Sequence, residues 1–272
     1  MTSAPVPYPT QPVTIAAQQQ DVGAAFLGHA AALLTQVAAN QAEVITAAAA
    51  ALADTIVAGG VLHVFGTGHS HIVAEELFYR AGGLVAVRPV LLAALMLHVD
   101  AELSTQLERL PGLGATLLAR VGVVERDTVL VVSNSGGNAT VREFAEGARA
   151  TGATVIAITS LAHATSAAAR HSTGLRLHQI ADIVLDNGGV PGDAAFAVAG
   201  FDVPIGPTST VVATALANAI VVSAIQQAVQ RGGHPEVYRS ANTTVGADHN
   251  TGLAEPGTAA TVPVRPPPGP AS

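Results

Sequence analysis

The sequence predicts a three-layer α/β fold, a five-stranded parallel sheet of flavodoxin-like order with an N-terminal helical extension. Three observations predict the layered parallel sheet, and its strand order is the one common to that class. Short runs of Val, Leu and Ile alternate with stretches whose apolar residues recur at helical spacing. The short runs are apolar at positions of both parities, as strands covered on both faces are. Hydrophobic residues make up 49% of the chain but aromatic residues only 3%, so small side chains must pack closely, as helices do over a parallel sheet.

In order, residues 1–12 hold four prolines and are expected to be disordered. Residues 13–60 form a helical segment: Phe26, Leu27, Leu33, Leu34, Val37, Val44, Ile45, Leu52 and Ile56 make an apolar stripe as far as Ala58, and Gly59-Gly60 ends it. Residues 61–250 then alternate. Strands are expected at Val61–Phe65, Leu84–Val87, Thr128–Val132, Thr154–Ile158 and Ile183–Leu185. Helices are expected at Ser70–Ala81, Ser104–Arg120, Ala139–Ala150 and Thr208–Arg231. A Pro-rich tail, 251–272, is expected to be disordered.

Composition excludes several function classes. The twelve basic residues are all Arg and the formal net charge is −7, which argues against nucleic acid or an anionic membrane as partner. The absence of Lys excludes Schiff-base catalysis, and the absence of Cys excludes disulfides, a thiolate nucleophile and a cysteine metal site. No basic segment precedes an apolar core at the N-terminus, so a cytoplasmic protein is expected. Residues 44–66 and 208–229 are apolar, but Asp54, Asn218, Gln226 and Gln227 interrupt them, and both read as buried helix.

Two glycine-bearing turns follow strands. The first is Gly66-Thr67-Gly68-His69-Ser70-His71, the second Ser133-Asn134-Ser135-Gly136-Gly137-Asn138. Each leads into a helix, whose first N–H groups lack partners and carry the positive end of the helix dipole. Each also reads as a tight turn with a polar cap. In a flavodoxin-like sheet, however, the first and third strands are neighbours at the switch point, so both turns open on one crevice.

With Thr154-Val-Ile-Ala-Ile-Thr-Ser160, these motifs make the chain resemble the SIS (sugar isomerase) domain family of phosphosugar isomerases and binders. The resemblance spans about Val13 to Asn250. Within the family, Glu76-Leu-Phe-Tyr-Arg80-Ala-Gly-Gly83, Asn242 and His249-Asn250 resemble the phosphoheptose-isomerase-like group. The resemblance implies phosphate binding by Gly68, Ser70, Ser133, Asn134, Ser135 and Asn138, the last where relatives often have Thr. It also implies a homodimer or homotetramer with shared sites, to which His98 and Glu108-Arg109 could contribute.

Isomerising a sugar phosphate needs a base beside the open chain and an acid that opens the ring. Glu76 is the candidate base and His69 or His71 the candidate acid, because Glu76 falls seven residues after His69 on nearly the same helical face, while Glu75 falls four after His71. The bland alternative is a solvated pair of glutamates, or one locked by Arg80. In the family the helix glutamate stands about ten residues after the loop serine, where this chain has Arg80, so the role of Glu76 rests on chemistry and proximity. An aldose–ketose isomerase acting through an enediolate is the leading expectation. An amino-sugar-phosphate lyase or etherase, or a non-catalytic phosphosugar sensor, is the alternative. The sensor reading lacks a basic DNA-binding module, since the first sixty residues contain no Arg or Lys. No cofactor is expected, and no metal site, since His171, His178 and Asp182 lack tight ligand spacing. Ser209 or Thr210 caps the last long helix or adds a hydroxyl to the pocket.

Overall fold

The computed structural model of the chain describes residues 6–18, 20–166, 174–251, 253 and 260–261. The segment expected to be helical from Val13 opens instead with a strand, β1 (Val13–Ile15), followed by helices α1 (Val22–Asn40) and α2 (Ala42–Val57). Three β-branched residues in a row favour the extended backbone. The helix breaks at Gln41, whose side chain bonds Tyr8 Oη at 3.3 Å and the Asp186 N–H at 3.4 Å. Part of the N-terminus expected to be disordered is tied to α1: the Asn40 amide accepts from the Val6 N–H at 3.2 Å and donates to the Val6 carbonyl at 2.7 Å.

β2 (Leu62–Gly66), α3 (Ile72–Leu77), β3 (Val87–Leu91), α4 (Ala101–Leu107), α5 (Leu113–Val121), β4 (Thr128–Val132), α6 (Ala139–Ala150), β5 (Thr154–Thr159), α7 (Leu161–Thr165), α8 (Leu177–Ile180) and β6 (Ile183–Asp186) come next. The five strands pair in parallel in the order β6-β5-β4-β2-β3, the order expected. After them come β7 (Ala194–Val198), β8 (Ile205–Pro207), α9 (Ser209–Gln230), α10 (Thr244–Thr251) and β9 (Ala260–Thr261), which pairs with the edge of β3. β1, β7 and β8 form a separate small sheet that the sequence did not suggest.

Strand side chains alternate between two cores. Val64, Leu130, Val132, Ile156 and Ile158 meet Leu52 of α2, Val73 of α3 and Leu216 of α9. Phe65, Val129, Val131 and Val155 meet Leu117 of α5, Phe144 of α6 and Leu177 of α8 on the other face. Burial on both faces is why apolar residues fill both parities of these strands and leave no polar alternation. α1 and α9 are each long and apolar enough to cross a membrane, but one face of α9, from Val212 to Ala228, lies in the core.

Three expected elements are displaced. The helix predicted to reach Ala81 ends at Leu77, because Phe78 is extended and Tyr79 adopts the left-handed region at φ 46°. The chain turns there to pair with residues 236–238: the Gly82 N–H donates to the Tyr238 carbonyl at 2.8 Å, and the Tyr79 ring lies 4.7 Å from that of Tyr238. The strand predicted at 84–87 is therefore only a bridge between Leu84 and Val237, and β3 runs on through Pro89. Near the sheet's edge, the N–H that proline lacks is tolerated. The helix predicted over 104–120 splits at Pro111-Gly112, with the Glu143 carboxylate accepting from the Gly112 and Gly114 N–H groups at 2.9 and 3.2 Å.

At the amino-terminal end of the sheet, buried His63 donates from Nε2 to Asp127 at 3.2 Å. Asp127 also accepts from the Val61 and Val124 N–H groups at 3.0 Å each.

Candidate functional site

At the carboxyl end of β2 the backbone folds back on itself. A Cβ on Gly66 would stand 2.7 Å from the Ser70 backbone, so only glycine fits there. The Ser70 N–H donates to the Thr67 carbonyl at 3.1 Å, closing a 3₁₀ turn over Gly68–His71, and the Thr67 hydroxyl donates to Glu108 at 3.0 Å. His71 is buried, with Nδ1 donating to the Gly68 carbonyl and Nε2 3.4 Å from Glu75. Its ring lies 5.7 Å from that of His98. His69 is exposed.

The β4 loop is held as firmly. The Ser133 hydroxyl oxygen accepts from the Gly136 N–H at 3.1 Å and keeps its own proton to donate. Gly136 sits at φ 61°. The Asn134 carbonyl accepts from the Ser160 N–H at 3.3 Å and the Thr159 hydroxyl at 3.2 Å, stapling β4 to the end of β5. The Ser135 carbonyl accepts from Arg176 at 3.3 Å. Asn138 stands at the N-cap of α6 but makes no side-chain cap bond there. The start of α6 is less open to an anion than its sequence implies, because the Thr140 N–H already donates to the Glu108 carbonyl at 3.1 Å.

The two loops meet in a crevice lined by Ser70, Val73, Val132, Asn134, Asn187 and the first turn of α9 at Ser209, Thr210 and Ala213. No lining side chain carries a charge. Its free volume is about 10 Å³, room for one water, so a larger ligand enters only as these side chains turn. Ser70 and Asn134 are thus brought together as expected, while Ser209 and Thr210 line the crevice without capping α9. Asp193 caps that helix, accepting from the Thr208 N–H at 3.2 Å and from the Ser209 N–H and hydroxyl at 2.8 and 2.6 Å.

Glu76 lies elsewhere, in a cleft of about 280 Å³ with Leu77, Arg80, Gly82, Gly83 and Asn218. Its Oε1 pairs with Arg80 and accepts from Asn218 Nδ2 at 2.9 Å. No hydrogen bond joins it to His71, which takes Glu75 instead. Beyond the crevice, His163 Nδ1 accepts from the Gly192 N–H at 2.9 Å; burial, aided by Arg176 and opposed by Asp193, pushes its pKa down. Burial also lowers His178, and raises the carboxyl of Asp186 against hydrogen bonds from Leu161 and Gly188. Asp182 is structural, binding Arg149 and the Val155 N–H at 2.9 Å each. His171 lies outside the described residues. Among the described residues no three His, Asp or Glu side chains are grouped to hold a metal ion.

Asn187 and Asn218 were not singled out in the sequence as functional. Asn187 carried a usable signal, since Asn187-Gly188-Gly189 ends a parallel strand as Asn134 to Gly137 nearly does. Asn218 stood out only as a polar residue in an apolar helix.

A doubly wound parallel sheet with hydroxyl-bearing loops meeting at the carboxyl ends of its two switch-point strands defines a crevice-binding α/β protein. The chain belongs to the SIS domain family, whose model matches residues 25–160. It is 42% identical to a UPF0309 protein of Listeria innocua over 82% of this chain and 90% of that one. It is 40% identical to a UPF0309 protein of Halalkalibacterium halodurans over 79% and 89%. Among solved structures, phosphoheptose isomerase from Neisseria gonorrhoeae is similar with TM-score 0.49 and 19% identity, covering 76% of this chain and 98% of that one.

Proposed function

We propose that the protein binds a sugar phosphate, with the phosphate at the Ser70–Asn134–Thr210 crevice, and isomerises aldose to ketose through an enediolate with Glu76 as base. Membership of the SIS domain family supports the ligand class. One observation carries the catalytic part: Ser70 and Glu76 lie on one continuous turn and helix, with the Glu76 carboxylate gripped through a single oxygen. Glu76 stands six positions after Ser70, about 9 Å along a helix and about a third of a turn round it, so a sugar phosphate of pentose length or more is the substrate expected. Of the two histidines, exposed His69 takes the ring-opening role, because both nitrogens of His71 are engaged within its own turn. We further propose a cytoplasmic homo-oligomer.

The test is exchange in D₂O with a panel of aldose and ketose phosphates from triose to heptose, including A5P and ManNAc-6P, sugar phosphates named with two solved structures of similar fold. Deuterium at C2 together with ketose is the expected result. A tightly bound sugar phosphate with neither exchange nor product sinks the isomerase reading, and release of a substituent without ketose selects the lyase.

A further inference from the structure

We propose that Asn187 is a positioning residue that fixes the polarity of the phosphate crevice, deciding that Asn134 meets the ligand with N–H donors and not with its amide oxygen. The assignment rests on the phosphate-binding reading above.

An asparagine amide can sit either way round, and only its partners decide which end is oxygen. Here the chain of partners starts from a group without that freedom. The Gly189 N–H can only donate, and it lies 2.9 Å from one end of the Asn187 amide, which must be oxygen. The other end of Asn187 is then the NH₂ group, and it lies 3.0 Å from the Asn134 amide, so the Asn134 atom facing it is oxygen. What Asn134 has left to turn toward the crevice is its NH₂.

The starting point is itself fixed. Asn187 is 2% exposed and its backbone N–H donates to the Thr159 carbonyl at 2.9 Å. The Gly189 carbonyl accepts from the Ser160 hydroxyl at 2.6 Å. A Cβ on residue 189 would stand 3.0 Å from Asn187 Oδ1, so it is glycine at this position that lets the amide oxygen come so close to the backbone. With no charged side chain in the lining, the orientation of neutral dipoles decides which ligands fit. An NH₂ in a crevice lined by the Ser70, Ser209 and Thr210 hydroxyls suits a ligand that only accepts, as the phosphate group of a dianionic ester does. Reversed, the same crevice would offer oxygen to oxygen.

Asn187→Asp tests this, because a carboxylate keeps the bond from Gly189 but presents an acceptor to Asn134 and turns that amide over. Dissociation constants for inorganic phosphate and for the tightest member of the sugar phosphate panel are measured by calorimetry against wild type at each pH, so both proteins meet the same mixture of ligand ionisation states. The charged groups on the packed elements are Asp186 on β6 and Asp193 and His163 across the 187–193 loop, and they are common to both proteins. At about pH 8 the variant should bind ten- to a hundredfold more weakly. Toward about pH 5 the gap should close, because a protonated carboxyl can again donate to Asn134. A merely structural lesion gives a deficit that does not change with pH, and that result overturns the assignment, as does equal binding at about pH 8. Should Asn187→Asp fail to fold, Asn187→Ala serves: a loss of about fivefold or more is expected, and unchanged affinity overturns the assignment. A wild type that binds neither inorganic phosphate nor any panel member defeats the phosphate reading and this assignment together. Binding by wild type and variant alike defeats the assignment alone.

Discussion

The carboxylate of Glu76 is held through Oε1, where the Arg80 guanidinium and the Asn218 amide both fall. Arg80 belongs to the same segment and is half exposed, so solvent screens its grip. Asn218 comes from α9 and also donates to the Thr214 carbonyl at 3.1 Å, which fixes the amide before it reaches Glu76. If Glu76 is the base, Asn218→Ala should lower kcat about tenfold to a hundredfold and leave KM within about twofold, because the phosphate crevice is untouched. Asn218→Asp should move the acid limb of the pH–rate profile upward, since two carboxylates in contact resist ionising together. Steady-state kinetics across pH on the substrate found by the exchange screen checks both. Unchanged kcat in both variants would remove Glu76 from the mechanism.

At the scale of elements, α9 shows how one helix serves two surfaces. Val212, Leu216, Ile220 and Ala224 lie in the core, while Val211, Val222 and Val229 are 42%, 66% and 57% exposed. Spacings of eleven and seven residues put those three valines on one face. An apolar stripe in water favours cover, and the proposed homo-oligomer would cover it with a second copy of the chain. Sedimentation equilibrium should therefore give a dimer or larger species for wild type and a monomer for Val222→Glu with Val229→Glu. A monomeric wild type at micromolar concentration would refute it. The same helix was legible in the sequence, as were both loops, because burial on both faces and glycine turns leave local signals, while the sheet order followed from the fold class that the family resemblance implies. The sequence places β3 too early because Arg88-Pro89 looks like a strand end when the sheet's edge is unknown. β7 was missed because Ala194-Ala-Phe-Ala-Val198 is too short and alanine-rich to declare a strand. Asn187 and Asn218 bond to partners 53 and 142 positions away, and spacing along one chain does not encode such pairings.

For the whole molecule, three histidines set the direction in which stability follows pH. Burial lowers the pKa of His63, where the Asp127 hydrogen bond only partly offsets it, and lowers those of His163 and His178. The unfolded chain takes up these protons near the ordinary histidine value of about 6.5, and the folded chain only at lower pH. The unfolded state therefore binds more protons in that window, so stability is complete above it and falls as pH drops through the folded values. Asp186 has the opposite sign: its raised carboxyl gives up stability as pH rises through its own range, at the acid end. His63 should contribute most clearly, since it is fully buried and its Nδ1 has no partner, so a second proton would create a buried donor with nothing to bond. Its limiting slope is about 1.4 kcal/mol per pH unit. Urea unfolding between about pH 8 and pH 5 should show free energy falling with pH, and His63→Gln, which keeps a donor for Asp127, should flatten the slope by up to that amount. An identical slope in the variant would mean that the buried His63–Asp127 pair takes up its proton as readily folded as unfolded.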